Sequence, residues 1–207
     1  MPFQQIFNLL VAPVTSFGTI IATHLFKLRR IKLMKKKADP VMEAVKNNIL
    51  IEFKLEQILK DYDADRVYII QFHNGGNIYP SGKSIPKFSV FYENVQPGMC
   101  GIRDKFQNIP VSIFGKFFNY LTENDITCFT DIRRSTIEDV ELKGLTRDTD
   151  ARSSYIVAIK SIDNKFMGVL AIDYIKKKRF LSEDKIKDLQ INASSIAGEL
   201  SNHQIIK

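Results

Sequence analysis

A chain of 207 residues is long enough for one domain of ordinary size with a real core, plus an appendage. With 44% apolar and 26% charged residues it is not a wholly disordered polymer; its two cysteines, Cys100 and Cys128, exclude a disulfide framework, no Cys/His cluster suggests zinc, and the default is reducing, intracellular surroundings. The net charge of +7 comes from one run, Lys27, Arg29, Arg30, Lys32, Lys35, Lys36 and Lys37; residues 38–207 hold 23 basic and 23 acidic side chains, which argues against a domain-wide nucleic-acid face.

Residues 6–26 carry no charged side chain. As a helix at ~1.5 Å per residue they reach ~30 Å, about one hydrocarbon core. The basic run follows at once. By the positive-inside rule this pattern predicts a single-pass membrane anchor with the remaining chain on the cytoplasmic side, the basic run serving as topology signal and lipid-headgroup contact. Two other readings stay open: an amphipathic helix lying on an anionic surface, and an arm over residues 3–26 packed into neighbouring subunits, as in a virion. The expected division is residues 1–37 as the apolar segment and 38–207 as the folded domain.

Asp39-Pro40 starts a helix, an N-cap side chain followed by proline at the first helical position. It is expected to run to about Leu59, with Val41, Val45, Ile49 and Phe53 as an apolar stripe continued by Leu55, Ile58 and Leu59. Arg66–Phe72 alternates as a strand, Val67, Ile69 and Gln71 on one face and Tyr68, Ile70 and Phe72 on the other. His73-Asn74-Gly75-Gly76 reads as the turn that ends it. After a loop with Pro80, Gly82 and Pro86 comes a second strand, Lys87–Tyr92, broken by Pro97-Gly98. Pro110–Leu121 reads as a helix, Thr127–Thr130 as a short strand and Ile137–Leu145 as a short helix. Arg152–Ser161 and Phe166–Tyr174 are strands joined by a hairpin at Asp163-Asn164. Ser182 caps a last helix with Glu183 and Asp184 in its first turn and Ile186, Leu189, Ala193, Ile196 and Leu200 at helical spacing. The fold class this order implies is α+β, an antiparallel sheet flanked by N- and C-terminal helices.

Ser153–Leu200, with Gly168-Val169-Leu170, Phe180 and Asp184, resembles the closing half of a GAF domain, and with the preceding helix and strand the resemblance covers about residues 40–202. The stretches RVYIIQFHNGG and SIPKFSVFYENVQPGM look like small GAF-like proteins of tailed bacteriophages. The resemblance implies a sensor or dimerisation module with a pocket on one sheet face and terminal helices that pair between subunits. Some members bind cyclic nucleotides, some bind bilins, and fold alone does not choose among them. In the cyclic-nucleotide members an Asn-Lys pair follows the Gly-Val-Leu strand; here Asn164-Lys165 precedes it, and Lys185 stands where the family has Glu. Phe180 then reads as a core residue and Asp184 as helix-start chemistry. A bilin needs a pocket thiol, for which Cys100 and Cys128 are the candidates, although cysteine is more often buried and inert. Two thiols so far apart are a poor match to GAF enzymes that reduce methionine sulfoxide.

No catalytic constellation stands out, and neither a metal nor a cofactor is expected. Asp61-Tyr62-Asp63-Ala64-Asp65 opens like a calcium loop but lacks the glycine and the closing glutamate. His73 has no acid or thiol tied to it by sequence. Should a pocket open at that edge of the sheet, its candidate lining is His73, Asn74, Lys87 and Tyr92. The function expected is a membrane-tethered GAF-like binding and dimerisation module without catalysis, its partners a second copy, the bilayer or neighbouring subunits, and a small ligand. The alternatives are a phage structural protein and a thiol- or His-dependent enzyme.

Overall fold

The computed structural model describes residues 21–30, 40–78, 81, 83–132 and 149–204. Lys32, Lys35, Lys36, Lys37 and the expected helix Ile137–Leu145 lie outside the described residues. The chain divides into two compact units, Met1–Val45 and Lys46–Lys207.

In the first unit, residues 21–30 form helix α1, on which Lys27, Arg29 and Arg30 are exposed. The expected single-pass anchor, with its cytoplasmic domain, is corrected. No helix among the described residues is long and apolar enough to cross a membrane. The ten described residues already carry the first three basic side chains, and residues 6–20 of the expected anchor lie outside the described residues. Helices α2 (Pro40–Asp61) and α4 (Glu183–Gln204) have the length but are charged along it.

The sheet has six strands: β1 (Arg66–Ile78), β2 (Lys83–Val95), β3 (Ile109–Pro110), β4 (Ile126–Phe129), β5 (Ser153–Lys160) and β6 (Phe166–Tyr174). Their order is β3-β2-β1-β6-β5-β4, and every pairing is antiparallel. The period-2 pattern of β1 assigns its faces as the sequence predicts. Val67 and Ile69 join Ile51, Leu55, Ile58 and Leu59 of α2 and Leu189, Ala193, Ile196 and Leu200 of α4 in one core. Tyr68 and Ile70, with Phe72 against them, join a second core on the opposite face. There the 3-10 turn η1 (Val111–Phe114) and helix α3 (Gly115–Asn124) supply Phe114, Phe117, Phe118 and Leu121.

Several expectations change. The helix expected over Pro110–Leu121 begins at Gly115, after β3 and η1. His73-Asn74-Gly75-Gly76 does not end β1: a register shift between Asn74 and Asn77 absorbs the glycines, Gly76 at φ +98°, and the strand continues to Ile78. Strand β2 correspondingly starts at Lys83. Pro86 sits in it where β3, paired only at Lys87 and Phe88, does not reach, so its missing N–H costs no bond to that neighbour. On α2 the stripe Val41, Val45, Ile49 and Phe53 is exposed, whereas its expected continuation Leu55, Ile58 and Leu59 is in the core together with Ile51. Phe180 is also exposed, at 72%, rather than in the core. The hairpin between β5 and β6 forms as expected, with Asn164 in the left-handed region and its N–H donating to Ser161 O.

Candidate functional site

The aromatic face of the sheet is filled over most of its area. Phe118 touches the rings of Phe72, Phe88, Phe117 and Phe166 at centroid distances of 5.1–6.3 Å. These edge-on and tilted contacts pack this face of the sheet. Only at the end of the face, past Tyr68, does the chemistry change. Arg66 and Asp173, 1% exposed each, form an ion pair there. Arg66 Nε and Nη2 donate to Asp173 Oδ2 at 3.0 and 2.5 Å, and Ser154 Oγ donates to Oδ1 at 2.7 Å. The same guanidinium donates to Thr149 O and Cys100 O, so one cation ties two loops to the sheet. Burial pushes the Asp173 carboxyl up, against the pull of Arg66 and the Ser154 hydroxyl. Burial opposes the Arg66 charge, but Asp173 holds the guanidinium protonated. Beside the pair is a cavity of about 210 Å³ lined by Arg66, Met99, Cys100, Lys105, Thr149 and Asp150 among others.

The four predicted lining residues divide. His73, Asn74 and Lys87 meet on the β1–β2 hairpin, where Lys87 is the register partner of His73 and its side chain lies across Gly75. His73 Nε2 bonds Ser89 Oγ at 2.9 Å and its ring stands edge-on to Phe91 at 5.9 Å. Asn74 Oδ1 accepts from Ser84. These are structural contacts within the hairpin. The two thiols are apart from it and from each other: Cys100 lies in the loop after β2, and Cys128 on edge strand β4, three strands from β1 or ~14 Å across the ladder. Burial raises the Cys128 thiol, which favours its protonated form.

Tyr92 belongs elsewhere. A bulge between β1 and β2 leaves Phe91 without a register partner, because Ile69 faces Tyr92 and Ile70 faces Val90. A regular strand sends consecutive side chains to opposite faces; the bulge lets Phe91 and Tyr92 line one cleft. Its volume is about 390 Å³, and Asn48, Glu52, Gln71 and Arg103 complete its wall. Tyr92 Oη donates to Asn48 Oδ1 at 2.5 Å across the gap between sheet and helix. Glu52 and Arg103 escape a reading of the sequence, since only the folded chain brings residues of α2 and of the 97–108 loop together. The alternation break at Phe91-Tyr92 was the available signal.

Helix α2 therefore has four distinct sides. One packs on the sheet. On one flank Lys54 Nζ donates to Ser195 Oγ and Glu199 Oε1 of α4, at 2.7 and 3.1 Å. The other flank, Asn48 and Glu52, borders the cleft. The outer side carries Met42, Val45, Ile49 and Phe53, each 43–59% exposed.

Neither a protein-family model nor a curated protein matches the chain. Solved structures do. The blue-light-absorbing form of the Thermosynechococcus elongatus PixJ GAF domain superposes with a TM-score of 0.62 at 18% identity, covering 79% of this chain and 90% of that one. The photoproduct state of a Synechocystis GAF domain gives 0.60 at 14%, covering 77% and 96%. A phycocyanobilin-bound GAF domain from a cyanobacterial phytochrome gives 0.55 at 16%, covering 82% and 97%. The chain has a GAF-like fold.

Proposed function

We propose that this protein is a GAF-like binding and dimerisation module without catalytic activity, and that two copies pair through the outer side of α2. The observation that carries this is the second apolar side of that helix. Ile51, Leu55 and Ile58 already fill the sheet side, yet Met42, Val45, Ile49 and Phe53 recur at three- and four-residue spacing on the opposite side, in water. A two-fold axis beside the helix lays this stripe on its own copy, so no separate partner surface is needed. The absence of catalysis rests on His73, whose ring nitrogens meet a hydroxyl and a backbone carbonyl, with neither thiol near it. Sedimentation velocity on the full chain tests the pairing. A dimer at micromolar concentration is expected, and the I49E/F53E variant should sediment as a folded monomer. A wild-type chain that stays monomeric overturns the reading.

A further inference from the structure

The cleft between α2 and β2 holds two opposite charges, Glu52 and Arg103, that have no ion-pair partner among the described residues. Side chains of opposite sign bordering one small cavity ordinarily close on each other; here the aromatic pair Phe91 and Tyr92 lies in the same wall. The scaffold under each group is fixed. Glu52 stands on α2, one turn after Asn48, which Tyr92 holds. The backbone at Arg103 is pinned on both sides: its N–H donates to Glu93 Oε2 at 3.0 Å, and its carbonyl accepts from Gln107 Nε2 at 2.7 Å. His73 braces the Phe91 ring from the side and is itself held by Ser89. Burial raises the Tyr92 phenol, the Glu52 charge adds to that and the Arg103 charge opposes it, so both charges act on the same hydroxyl.

We propose that this cleft is a binding site for a small zwitterion of the free amino-acid class with a flat or apolar body. The ligand ammonium meets the Glu52 carboxylate, its carboxylate meets the Arg103 guanidinium, and its body lies against Phe91 and Tyr92, with the Gln71 amide available for hydrogen bonding. The chemistry selects this class. A simple anion leaves Glu52 repelling it and a simple cation does the same at Arg103, whereas a zwitterion meets each charge with its opposite. A cavity of about 390 Å³ is at the small end of ligand sites, which suits a metabolite rather than a macromolecule. Glu52 adjoins the pairing side of α2, three residues from Ile49, but the inference does not rest on pairing.

The test is ligand-observed NMR on the full chain with the twenty common L-amino acids, followed by calorimetry of the best binder against its decarboxylated amine and its deaminated acid. The intact amino acid is expected to bind about 10-fold or more tightly than either analogue, because each charge-assisted bond contributes a factor of that order. E52Q should abolish the advantage over the deaminated acid, and R103Q the advantage over the amine. Both residues are exposed, so both variants should retain the wild-type circular dichroism. The proposal is overturned if none of the twenty binds below about 10 mM, if the analogues bind as well as the amino acid, or if both variants keep wild-type selectivity.

Discussion

Arg66 and Asp173 are register partners on neighbouring strands, and their side chains meet in an ion pair that solvent does not reach. Removing one partner leaves the other charge stranded in the core, which costs about 3–5 kcal/mol, whereas removing both relieves most of that penalty. D173N should therefore lower the stability measured by urea denaturation by an amount in that range, and R66M/D173N should recover much of it. Because Arg66 also holds Thr149 O and Cys100 O, the double variant should remain more protease-sensitive near those loops than the wild type. Equal stability of D173N and wild type would mean that the pair is not buried in solution.

Asn47 is the converse case, a buried polar group that the fold does not satisfy. It is 8% exposed, and its Nδ2 has no hydrogen-bond partner among the described residues. An unsatisfied buried donor carries a desolvation cost of about 1–3 kcal/mol, and an apolar side chain of similar volume removes it. N47L should raise the urea midpoint with an unchanged slope, by about 1 kcal/mol of stability. A fall in the midpoint would show that the amide has a partner in solution.

Gly168 marks a place where the sheet admits no side chain. A Cβ built on it collides with the carbonyl oxygen of Ile70, on the neighbouring strand β1. Backbone cannot swing aside as a flexible side chain can, so G168A must spread β1 from β6. The expected loss is about 3 kcal/mol, at the upper end of what overpacking costs. Gly101 is the milder counterpart: its Cβ meets Glu93 Oε2 at 2.6 Å, and that carboxylate belongs to a side chain able to shift. G101A should cost less than G168A and should loosen the 101–103 loop that Glu93 holds.

These positions divide according to what a linear sequence displays. Strand β1 was legible because alternation has one phase: Val67 and Ile69 cannot share a face with Tyr68 and Ile70. The stripe Leu189, Ala193, Ile196 and Leu200 was legible on α4 because that helix has a single dominant apolar side. On α2 the pattern marks Leu55, Ile58 and Leu59, which are in the core, but it also marks an outer stripe that is not. Val45, Ile49 and Phe53 are as periodic as Ile51, Leu55 and Ile58, and periodicity alone does not say which set meets the sheet. Gly75-Gly76 was read as a turn because a bulge and a turn call on the same residues. Arg66 and Asp173 left almost no trace, since they are far apart in the chain and each is a lone charge at the end of an apolar strand. The cleft was hidden for the related reason that Glu52 and Arg103 come from a helix and a loop that only the tertiary fold brings together.

Tyrosine ionisation gives a test of the whole core. Of the seven tyrosines, Tyr62, Tyr68, Tyr155 and Tyr174 are 1–4% exposed. Burial pushes the Tyr62 phenol up to about 12, and burial likewise raises Tyr68, Tyr155 and Tyr174. The fold thus favours the neutral form of each, against an ordinary value near ~10 in the unfolded chain. The stability they contribute is fully present below pH ~10 and is lost as the pH rises through the folded-state values, because only the unfolded chain releases these protons readily. In an alkaline titration followed by phenolate absorbance and far-ultraviolet circular dichroism, only part of the phenolate signal should appear while the ellipticity is native. The remainder should appear together with the loss of ellipticity, in one cooperative step. Seven phenols ionising near pH ~10 with the ellipticity intact would contradict the burial of the residues on which both cores depend.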